Sequence, residues 1–281
     1  MNLSPGAAVV VTGAASGIGE AIARECVERG FRLALADIEK ARLEDLVNEL
    51  NELSETDVIG KFVDVADSLS VLEFAENVQS EFGRVDLVVA NAGVIATNKP
   101  LWEQKVEDLH WILGVNLVGV FNTWSSFLPH MIETGSGHLA ATSSVAGLMP
   151  MIWGGNSPYA ASKYGVVGLA EAVDQDLRNI SSDIGITVLF PGPVRTRIRE
   201  ALRNRPEAYG GPMKETSYVP PIAAPDSWVT LEPTGVAKHF LQAIEAGERY
   251  VISNPEFLEP IVGHLSNVSK ELQSSIIQED S

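Results

Sequence analysis

The stretch AAVVVTGAASGIG, residues 7–19, decides how the rest of the chain is interpreted. It begins with small and β-branched residues at positions 8–11, passes through a glycine-rich turn and leads into an amphipathic segment. That order predicts a buried strand, a tight turn and the start of a helix. Gly13 permits the sharp turn, while Gly17 and Gly19 leave room for a pyrophosphate to approach backbone N–H groups at the positive end of the helix. The stretch therefore predicts an anion-binding turn that suits a nucleotide.

Outward from this turn, strand patterns alternate with helix patterns. Further strands are predicted at residues 31–37, 58–65, 85–93, 138–144, 186–190 and 249–252. Helices are predicted after the second strand as far as residue 53, over 68–82 and 103–131, from 157 onwards, and over 234–246. Nearly continuous apolar strands that alternate with helices indicate an α/β fold, in which a parallel sheet is covered on both faces. We expect a single domain over residues 1–281.

Two segments depart from this alternation. Residues 195–233 are rich in Pro and Arg, which predicts a lid inserted over the ligand site. Residues 264–281 form a C-terminal tail with apolar side chains at helical spacing, namely Leu265, Val268, Leu272 and Ile276.

Composition and charge exclude several classes of function. The net charge of −17 argues against nucleic acid or an anionic membrane surface as a partner. One cysteine and five scattered histidines exclude a disulfide framework and predict that no metal is bound. No signal-peptide pattern is present, and no apolar run reaches about 18 residues, so no membrane span is expected. We therefore expect a cytoplasmic protein that acts on a small molecule.

Asp37 strengthens the nucleotide hypothesis. The glycine spacing G-x-x-x-G-x-G differs from the usual dinucleotide pattern, but Asp37 ends the second strand about 20 residues downstream, where a ribose-binding acid belongs. The alternative is a solvated turn aspartate. A carboxylate there would repel a 2′-phosphate by roughly 4 kcal/mol per unit charge at about 4 Å. Because neither Ser16 nor Ile38 is basic, the sequence predicts NAD rather than NADP.

A second group of residues carries the chemistry. Tyr159 and Lys163 lie four apart at a predicted helix start, so their side chains share one face. A phenol has a pKa near 10 and is a poor base at neutral pH. An ammonium about 4 Å away is worth roughly 4 kcal/mol, about three pKa units, which makes Tyr159 a usable acid and base. An exposed helical pair is the alternative for Tyr-x-x-x-Lys taken alone.

With these motifs together, residues 7–252 closely resemble the short-chain dehydrogenase/reductase family, which implies a Rossmann-type doubly wound sheet. The resemblance rests on the glycine-rich turn, on Asp64-Val65, on Asn91-Ala92-Gly93, and on the segment 191–196. It implies that the following residues bind the cofactor: Gly13, Ser16, Gly17, Ile18, Gly19, Asp37, Asp64, Val65, Asn91, Ala92, Gly93, Tyr159, Lys163, Pro191, Gly192, Val194 and Thr196.

The resemblance also implies a catalytic tetrad of Asn116, Ser144, Tyr159 and Lys163. Tyr159 would pass the proton during hydride transfer at the nicotinamide, and Ser144 would polarise the C–O group. Lys163 would hold the nicotinamide ribose and lower the pKa of the tyrosine, and Asn116 would hold a water of the proton relay.

Two positions depart from the family pattern. Ser144 precedes Tyr159 by 15 residues rather than the usual 13, so a two-residue insertion is expected between them and Ser143 is a rival. Ser144 is preferred because it directly precedes Val145-Ala146-Gly147, and because strand alternation directs only one of the two serines to the site. Ala90 stands where the family often has an asparagine before Asn91.

Three classes of function remain: an NAD-dependent alcohol dehydrogenase or ketone reductase, a sugar-nucleotide epimerase or dehydratase, and a nucleotide-sensing protein without activity. The first is favoured, with an NADP-dependent carbonyl reductase as its variant. Ser144, Tyr159 and the apolar residues Met151 and Trp153 are predicted to contact substrate, which indicates a bulky hydrophobic alcohol. The alternative is that the loop and lid residues only pack the lid onto the domain. Further apolar residues of that loop and lid are Met149, Ile152, Tyr218, Val219, Pro220, Pro221 and Trp228.

The helix predicted over 106–131 is apolar nearly all round, so a second copy of the chain is expected to cover one side, as a dimer or tetramer. Five arginines between 195 and 205 add positive charge beside the proposed site. Arg195, Arg199 and Arg203 would share a face if this segment were an α-helix. They either pair with an anionic group of the substrate or with the cofactor phosphates, or belong to a solvated lid; the solvated lid is our default expectation.

Overall fold

The computed structural model describes residues 3–150, 154–180, 182–213 and 228–275. Seven parallel strands form one sheet in the order β3-β2-β1-β4-β5-β6-β7. They span Ala8–Thr12 (β1), Arg32–Asp37 (β2), Val58–Phe62 (β3), Leu87–Ala90 (β4), His138–Thr142 (β5), Gly185–Phe190 (β6) and Tyr250–Ile252 (β7). The order reverses between β1 and β4, which is the place where doubly wound sheets bind ligands. The predicted Rossmann-type α/β fold is confirmed.

The helices span Gly17–Glu28 (α1), Lys40–Leu53 (α2), Ser68–Phe82 (α3), Val106–Leu113 (α4), Gly119–Thr134 (α5), Ser157–Asn179 (α6), Pro233–Ala246 (α7) and Leu258–Ser274 (α8). Two apolar clusters, one on each face of the sheet, form the core. The first packs α1, α2 and α7 on one face around Ile22, Leu50 and Phe240. The second packs α3, α5 and α6 on the other face around Phe74 and Trp124. Each face of the parallel sheet is therefore covered, as the apolar strands require.

The long helix predicted over 103–131 is interrupted. It begins at Val106, passes through a π-helical turn at Gly114–Val118, and continues to Thr134. A π turn contains one extra residue and changes the direction of side chains, which periodicity alone does not reveal. Val106–Thr134 is long and apolar enough, by length and composition, to cross a membrane, but half of its most apolar window is buried inside the protein. That burial is typical of a core helix.

The segment after β6 is irregular. It contains two 3₁₀ helices, Ile198–Asn204 and Glu207–Tyr209. A 3₁₀ helix has three residues per turn, so Arg197, Glu200 and Arg203 share a face, rather than the Arg195, Arg199 and Arg203 expected for an α-helix. The chain returns to the domain where Val194 pairs with Leu231.

The predicted C-terminal tail is helical, because α8 continues as far as Ser274. Its apolar side chains Leu265, Val268 and Leu272 are exposed in the single chain. Ile276, the last residue of that apolar pattern, lies outside the described residues.

Candidate active site

The carboxyl ends of the central strands open into one cavity of about 890 Å³. Apart from Gly19, every residue that the sequence assigned to the cofactor lines it. These residues are Gly13, Ser16, Gly17, Ile18, Asp37, Asp64, Val65, Asn91, Ala92, Gly93, Tyr159, Lys163, Pro191, Gly192, Val194 and Thr196. Ser144 also lines the cavity. A cavity of this size is within the range of small-molecule and cofactor sites.

The glycine-rich turn has the shape that a pyrophosphate needs. Gly13 and Gly17 both have positive φ, and a Cβ on Gly17 would lie 2.9 Å from Cγ2 of Thr196. Ser16 caps α1 without a side-chain hydrogen bond to the helix. Gly19 has a different function. A Cβ at this position would lie 2.1 Å from the carbonyl oxygen of Gly13, so the lack of a side chain on Gly19 lets α1 pack on the turn. The turn therefore fits a dinucleotide, with open backbone at the positive end of α1.

Asp37 is held at the end of β2 by the turn around it. Its carboxylate accepts from the N–H groups of Ala15 and Glu39 at 2.9 and 2.8 Å. Burial raises the pKa of this carboxyl, and these hydrogen bonds oppose the rise. Asp64 lies farther along the cavity wall and accepts from the N–H of Ala66 at 2.9 Å. Asp37 can therefore accept hydrogen bonds from ribose hydroxyls.

Asn91 connects three strand ends. Its amide donates to the carbonyl oxygens of Thr12 and Gly13 at 3.1 and 3.2 Å, and its side-chain oxygen accepts from the Thr142 hydroxyl at 3.0 Å. The Asn91 side chain thus fixes the ends of β1, β4 and β5 relative to one another. None of these hydrogen bonds involves the side chain at position 90.

Tyr159 and Lys163 lie on the first two turns of α6, as predicted from their spacing. Nζ of Lys163 lies 5.8 Å from the centre of the Tyr159 ring and donates to the carbonyl oxygen of Thr142 at 2.8 Å. Lys163 is buried, which lowers the pKa of its ammonium to about 8. A buried cation beside a phenol favours the phenolate form.

Asn116 lies behind this pair, on the π turn, and is completely buried. Its amide donates to the carbonyl oxygen of Val94 and to the Ser162 hydroxyl, both at 3.0 Å, and its oxygen accepts from the N–H of Val94 at 2.8 Å. These contacts fix the π turn against α6 and the strand that leads to Val94. A Cβ on Gly93 would lie 3.4 Å from Nζ of Lys163 and 3.6 Å from Oδ1 of Asn116, so Gly93 leaves the approach to both open.

The two serines after β5 both line the cavity, but their hydroxyls have different hydrogen-bond partners. The Ser143 hydroxyl donates to the carbonyl oxygen of Lys163 at 2.8 Å and so attaches β5 to α6. The Ser144 hydroxyl accepts from the N–H of Ala146 at 3.2 Å and lies 3.5 Å from the carbonyl oxygen of Pro191, on the cavity wall. The hydrogen-bonding capacity of the Ser143 hydroxyl is thus used within the protein, whereas the Ser144 hydroxyl lies near the segment that follows β6.

Asn254 was not identified from the sequence. It is fully buried just after β7, where its side-chain oxygen accepts from the N–H of Gly192 at 3.1 Å and its amide donates to the carbonyl oxygen of Val229 at 2.8 Å. A Cβ on Gly192 would lie 2.7 Å from the Phe257 ring. Asn254 therefore holds the segment 191–194 in place. A lone polar residue after a strand carries no sequence signal for this function.

Part of the cavity wall is mainly apolar. Trp111 and Ile112 of α4 pack with Ala201 and Leu202 of the 3₁₀ segment. Of these, Trp111, Ala201 and Leu202 line the cavity, together with Val94, Ile95, Ala96, Val115, Pro150, Tyr209 and Trp228. Met149 instead packs with Phe257 away from the cavity. Met151, Ile152 and Trp153, and the lid residues 218–221, lie outside the described residues.

Four of the five lid arginines contact acidic groups. Arg195 contacts Glu232, Arg197 and Arg203 contact Glu39, and Arg205 contacts Asp108. The pair between Arg205 and Asp108 is buried, with a distance of 2.8 Å and both side chains 6% exposed. Neither Glu39 nor Asp108 was identified from the sequence, because the partners of both are distant along the chain. Among the described residues, no group of three His, Cys, Asp or Glu side chains is arranged to hold a metal ion.

Comparisons with known proteins agree with this geometry. The family model for short chain dehydrogenases matches residues 7–207. The C alpha-dehydrogenase of Sphingobium sp. strain SYK-6 is 30% identical over 261 residues, which cover 92% of this chain and 84% of that protein.

Solved structures extend the match to the whole fold. A short-chain dehydrogenase/reductase from Burkholderia phymatum in complex with NAD has a TM-score of 0.86 and 32% identity, covering 100% of both chains. An alcohol dehydrogenase from Thermococcus sibiricus complexed with 5-hydroxy-NADP has a TM-score of 0.71 and 29% identity, covering 88% of this chain and 96% of that one. Nicotinamide dinucleotides of both kinds therefore occur among similar structures, and the chain belongs to the short-chain dehydrogenase family of oxidoreductases.

Proposed function

We propose that this protein is an NAD-dependent oxidoreductase that interconverts a bulky hydrophobic secondary alcohol and its ketone. The observation that carries the proposal is the joint position of Tyr159, Lys163 and Ser144 on one cavity with the glycine-rich turn. When bound, the nicotinamide ring supplies or accepts the hydride. The residues that would hold the dinucleotide are those of the turn, Asp37, and the segment 191–196.

In this proposal the proton moves through Tyr159. The phenolate accepts the hydroxyl proton when the alcohol is oxidised, and the phenol returns it when a ketone is reduced. The buried ammonium of Lys163 stabilises the phenolate, and the hydroxyl of Ser144 donates a hydrogen bond to the substrate oxygen. Asn116 positions the π turn behind Lys163, where its backbone would hold a water of the proton relay.

The choice of NAD rests on Asp37. Its carboxylate is fixed by two backbone N–H groups, so it accepts from ribose hydroxyls and repels a 2′-phosphate. The apolar cavity wall beside Trp111 and Leu202 supports a hydrophobic substrate. An NADP-dependent carbonyl reductase is the second candidate, because Arg197 and Arg203 line the same cavity.

We also propose a cytoplasmic homo-oligomer. Val118, Phe121 and Ile132 of the helix pair α4–α5 are 43%, 55% and 42% exposed, and Tyr164 of α6 is 42% exposed. One turn further along α6, Gly168 has no atom within 4 Å of the position of an added Cβ. A smooth, apolar surface of this kind suits close packing against the same surface of a second copy.

The first prediction is that Tyr159→Phe lowers kcat at least about a hundredfold and leaves the Kd for NADH within about threefold of the wild-type value. The reason is that the phenol carries the proton but is one of many contacts to the dinucleotide. The measurement is absorbance at 340 nm with NAD or NADP and a panel of cyclic, aromatic and steroidal alcohols, together with NADH fluorescence. Full activity of the variant would contradict the proposal, and equal kcat/KM with the two cofactors would favour the second candidate.

The adjacent serines provide a matched control. Ser144→Ala is expected to lower kcat as Tyr159→Phe does. Ser143→Ala removes the bond to the carbonyl of Lys163 and is expected to lower the melting temperature more than kcat. The reverse pattern would assign the catalytic hydroxyl to Ser143.

A further inference from the structure

Glu39 lies two residues past Asp37, and groups from the opposite side of the cofactor groove surround its carboxylate. Nη1 of Arg197 lies 3.1 Å away, Nδ2 of Asn204 lies 3.0 Å away, and Arg203 also donates a hydrogen bond. These contacts join positions 158 to 165 residues apart in the chain. The Glu39 side chain is only 17% exposed. Its carboxylate thus connects the end of β2 to the 3₁₀ segment of the lid.

This cluster belongs to the wall of the cofactor groove. Asp37, Glu39, Arg197, Arg203 and Asn204 all line the same cavity. Burial, and to a smaller extent the charge of Glu39, raises the pKa of the Asp37 carboxyl, so the two carboxylates interact. The hydrogen bonds from Asn204 and Arg203 overcome the effect of burial and lower the pKa of Glu39 itself. Glu39 is therefore the ionised partner of the Arg197 and Arg203 guanidinium groups, and Nε of Arg42 lies 3.9 Å from the same carboxylate.

Two guanidinium groups and an amide that converge on one point form a donor set for a phosphate group. A phosphate monoester carries about −1.5 to −2 charge at pH 7 and three acceptor oxygens, and arginine binds it with paired hydrogen bonds. Here a side chain of the protein itself takes that place. The ribose acid Asp37 lies next to it on the same turn.

We propose that Glu39 is a second determinant of cofactor choice, because it occupies an anion site that Arg197, Arg203 and Asn204 would otherwise offer to the 2′-phosphate of NADP. This inference rests on the proposed function, since it concerns the same dinucleotide groove. Asp37 excludes the 2′-phosphate by repulsion, and Glu39 removes the cations that would attract it. Replacing Asp37 alone therefore relieves the repulsion and leaves the arginines engaged.

The test compares binding of 5′-AMP and 2′,5′-ADP (adenosine 2′,5′-bisphosphate), which differ only in the 2′-phosphate, by isothermal titration calorimetry. The variants are Asp37→Asn and the double variant Asp37→Asn with Glu39→Ala. The amide introduced by Asp37→Asn keeps one acceptor oxygen for the turn. Glu39→Ala frees the guanidinium groups and leaves space for the 2′-phosphate. We expect the wild type to bind 5′-AMP at least about tenfold more tightly than 2′,5′-ADP. We expect the double variant to favour 2′,5′-ADP at least about tenfold relative to Asp37→Asn alone.

The control is Asp37→Asn with Glu200→Ala. Glu200 contacts Arg197 and Arg203 at 2.9 and 4.0 Å but belongs to the lid segment itself, so its loss removes the same charge without removing the Glu39 carboxylate that precedes α2. We expect this control to match Asp37→Asn in the ratio of the two Kd values. Using the ratio cancels any general loosening of the lid, and retained 5′-AMP binding shows that each variant is folded.

Three outcomes are distinguishable. A shift toward 2′,5′-ADP in the Glu39 variant that exceeds that in the Glu200 control supports the inference. Equal ratios in the two double variants overturn it while leaving the proposed function intact. Failure of the folded wild type to bind either nucleotide overturns the proposed function, and the inference with it.

Discussion

At the scale of single residues, the buried charge of Lys163 lowers the stability of the folded protein. Its ammonium is buried and donates to the carbonyl oxygen of Thr142 at 2.8 Å. Burial lowers the pKa of the ammonium to about 8. A buried charge balanced by hydrogen bonds to neutral groups destabilises the fold, and such groups are concentrated at functional sites. The position of Lys163 is therefore better explained by its effect on Tyr159 than by stability.

His138, at the start of β5, is a buried titratable residue far from this chemistry. Its Nε2 lies 2.8 Å from Oγ1 of Thr187, and that hydroxyl donates to the carbonyl oxygen of Glu248. Since the Thr187 proton is used, Nε2 must donate, and the neutral ring carries its proton there. Burial lowers the pKa of the ring to about 4.

The second prediction is a loss of stability in weak acid through His138. The unfolded ring has a pKa near 6.5, so between about pH 6.5 and 4 the unfolded state binds the proton more tightly than the folded state does. The contribution of His138 is complete above about pH 6.5 and falls by about 3 kcal/mol as the pH drops to 4. In urea titrations across this range, His138→Gln should lose less free energy of unfolding than the wild type by about that amount. His264→Gln, on the outer helix α8, is the control, and equal pH slopes for wild type and His138→Gln would disprove the assignment.

At the scale of elements, the lid is anchored on both sides of the cavity. Arg197 and Arg203 join it to Glu39 near β2, and Arg205 joins it to Asp108 on α4. Between these anchors, Ala201 and Leu202 cover the apolar wall. The contribution of a salt bridge to stability depends on how far the pair is buried. Exposed pairs contribute little, whereas loss of one partner of a buried pair destabilises the protein by about 3–5 kcal/mol.

The third prediction is that Asp108→Asn opens the lid without unfolding the domain. In this variant the Arg205 guanidinium lacks its carboxylate partner, and it can reach water if the segment 198–213 detaches. The destabilisation is therefore confined to that segment, and the rest of the domain stays folded. Trypsin should cleave after the lid arginines at least about tenfold faster than in the wild type. KM for a hydrophobic alcohol should rise about tenfold, and kcat should change less.

Glu232→Gln is the matched control for this variant. It breaks the pair between Arg195 and Glu232, whose side chains are 71% and 60% exposed. Its cleavage rate and KM should stay near the wild-type values. A global drop in melting temperature for Asp108→Asn with unchanged proteolysis of the lid would show instead that the pair stabilises the core.

The elements and the main site residues could be predicted because they depend on local pattern. The strand at Ala8–Thr12, the turn at Gly13 and the acid at Asp37 are adjacent in sequence or one βαβ unit apart, and parallel topology brings them together. The π turn at Gly114–Val118 could not be predicted, because the predicted helix is apolar nearly all round and a shift in the phase of its side chains leaves no visible break in the pattern. Glu39 and Asn254 were missed since their partners come from distant segments whose path no local rule determines.

At the scale of the whole molecule, the net charge of −17 constrains association. Two copies repel each other unless they meet through an uncharged surface. The surface proposed for this contact includes the exposed, uncharged residues Val118, Phe121, Tyr164 and Gly168. A second apolar stripe lies on α8 at Leu258, Val262, Leu265 and Leu272. The two surfaces belong to different helices, so variants can separate them.

The fourth prediction is that Phe121→Glu breaks the oligomer. A two-fold interface contains each of its residues twice, so one substitution places two negative charges in a desolvated contact. Sedimentation at micromolar concentration should show a wild-type mass of at least twice 30.2 kDa, and Phe121→Glu should at least halve it. Leu53→Glu, at a side chain 67% exposed at the end of α2, should leave the mass unchanged.

If Leu272→Glu dissociates the protein and Phe121→Glu does not, α8 provides the interface. A wild type that sediments at 30.2 kDa would exclude the oligomer altogether. Higher salt should strengthen the wild-type assembly, since it screens the repulsion between two acidic copies without weakening an apolar contact.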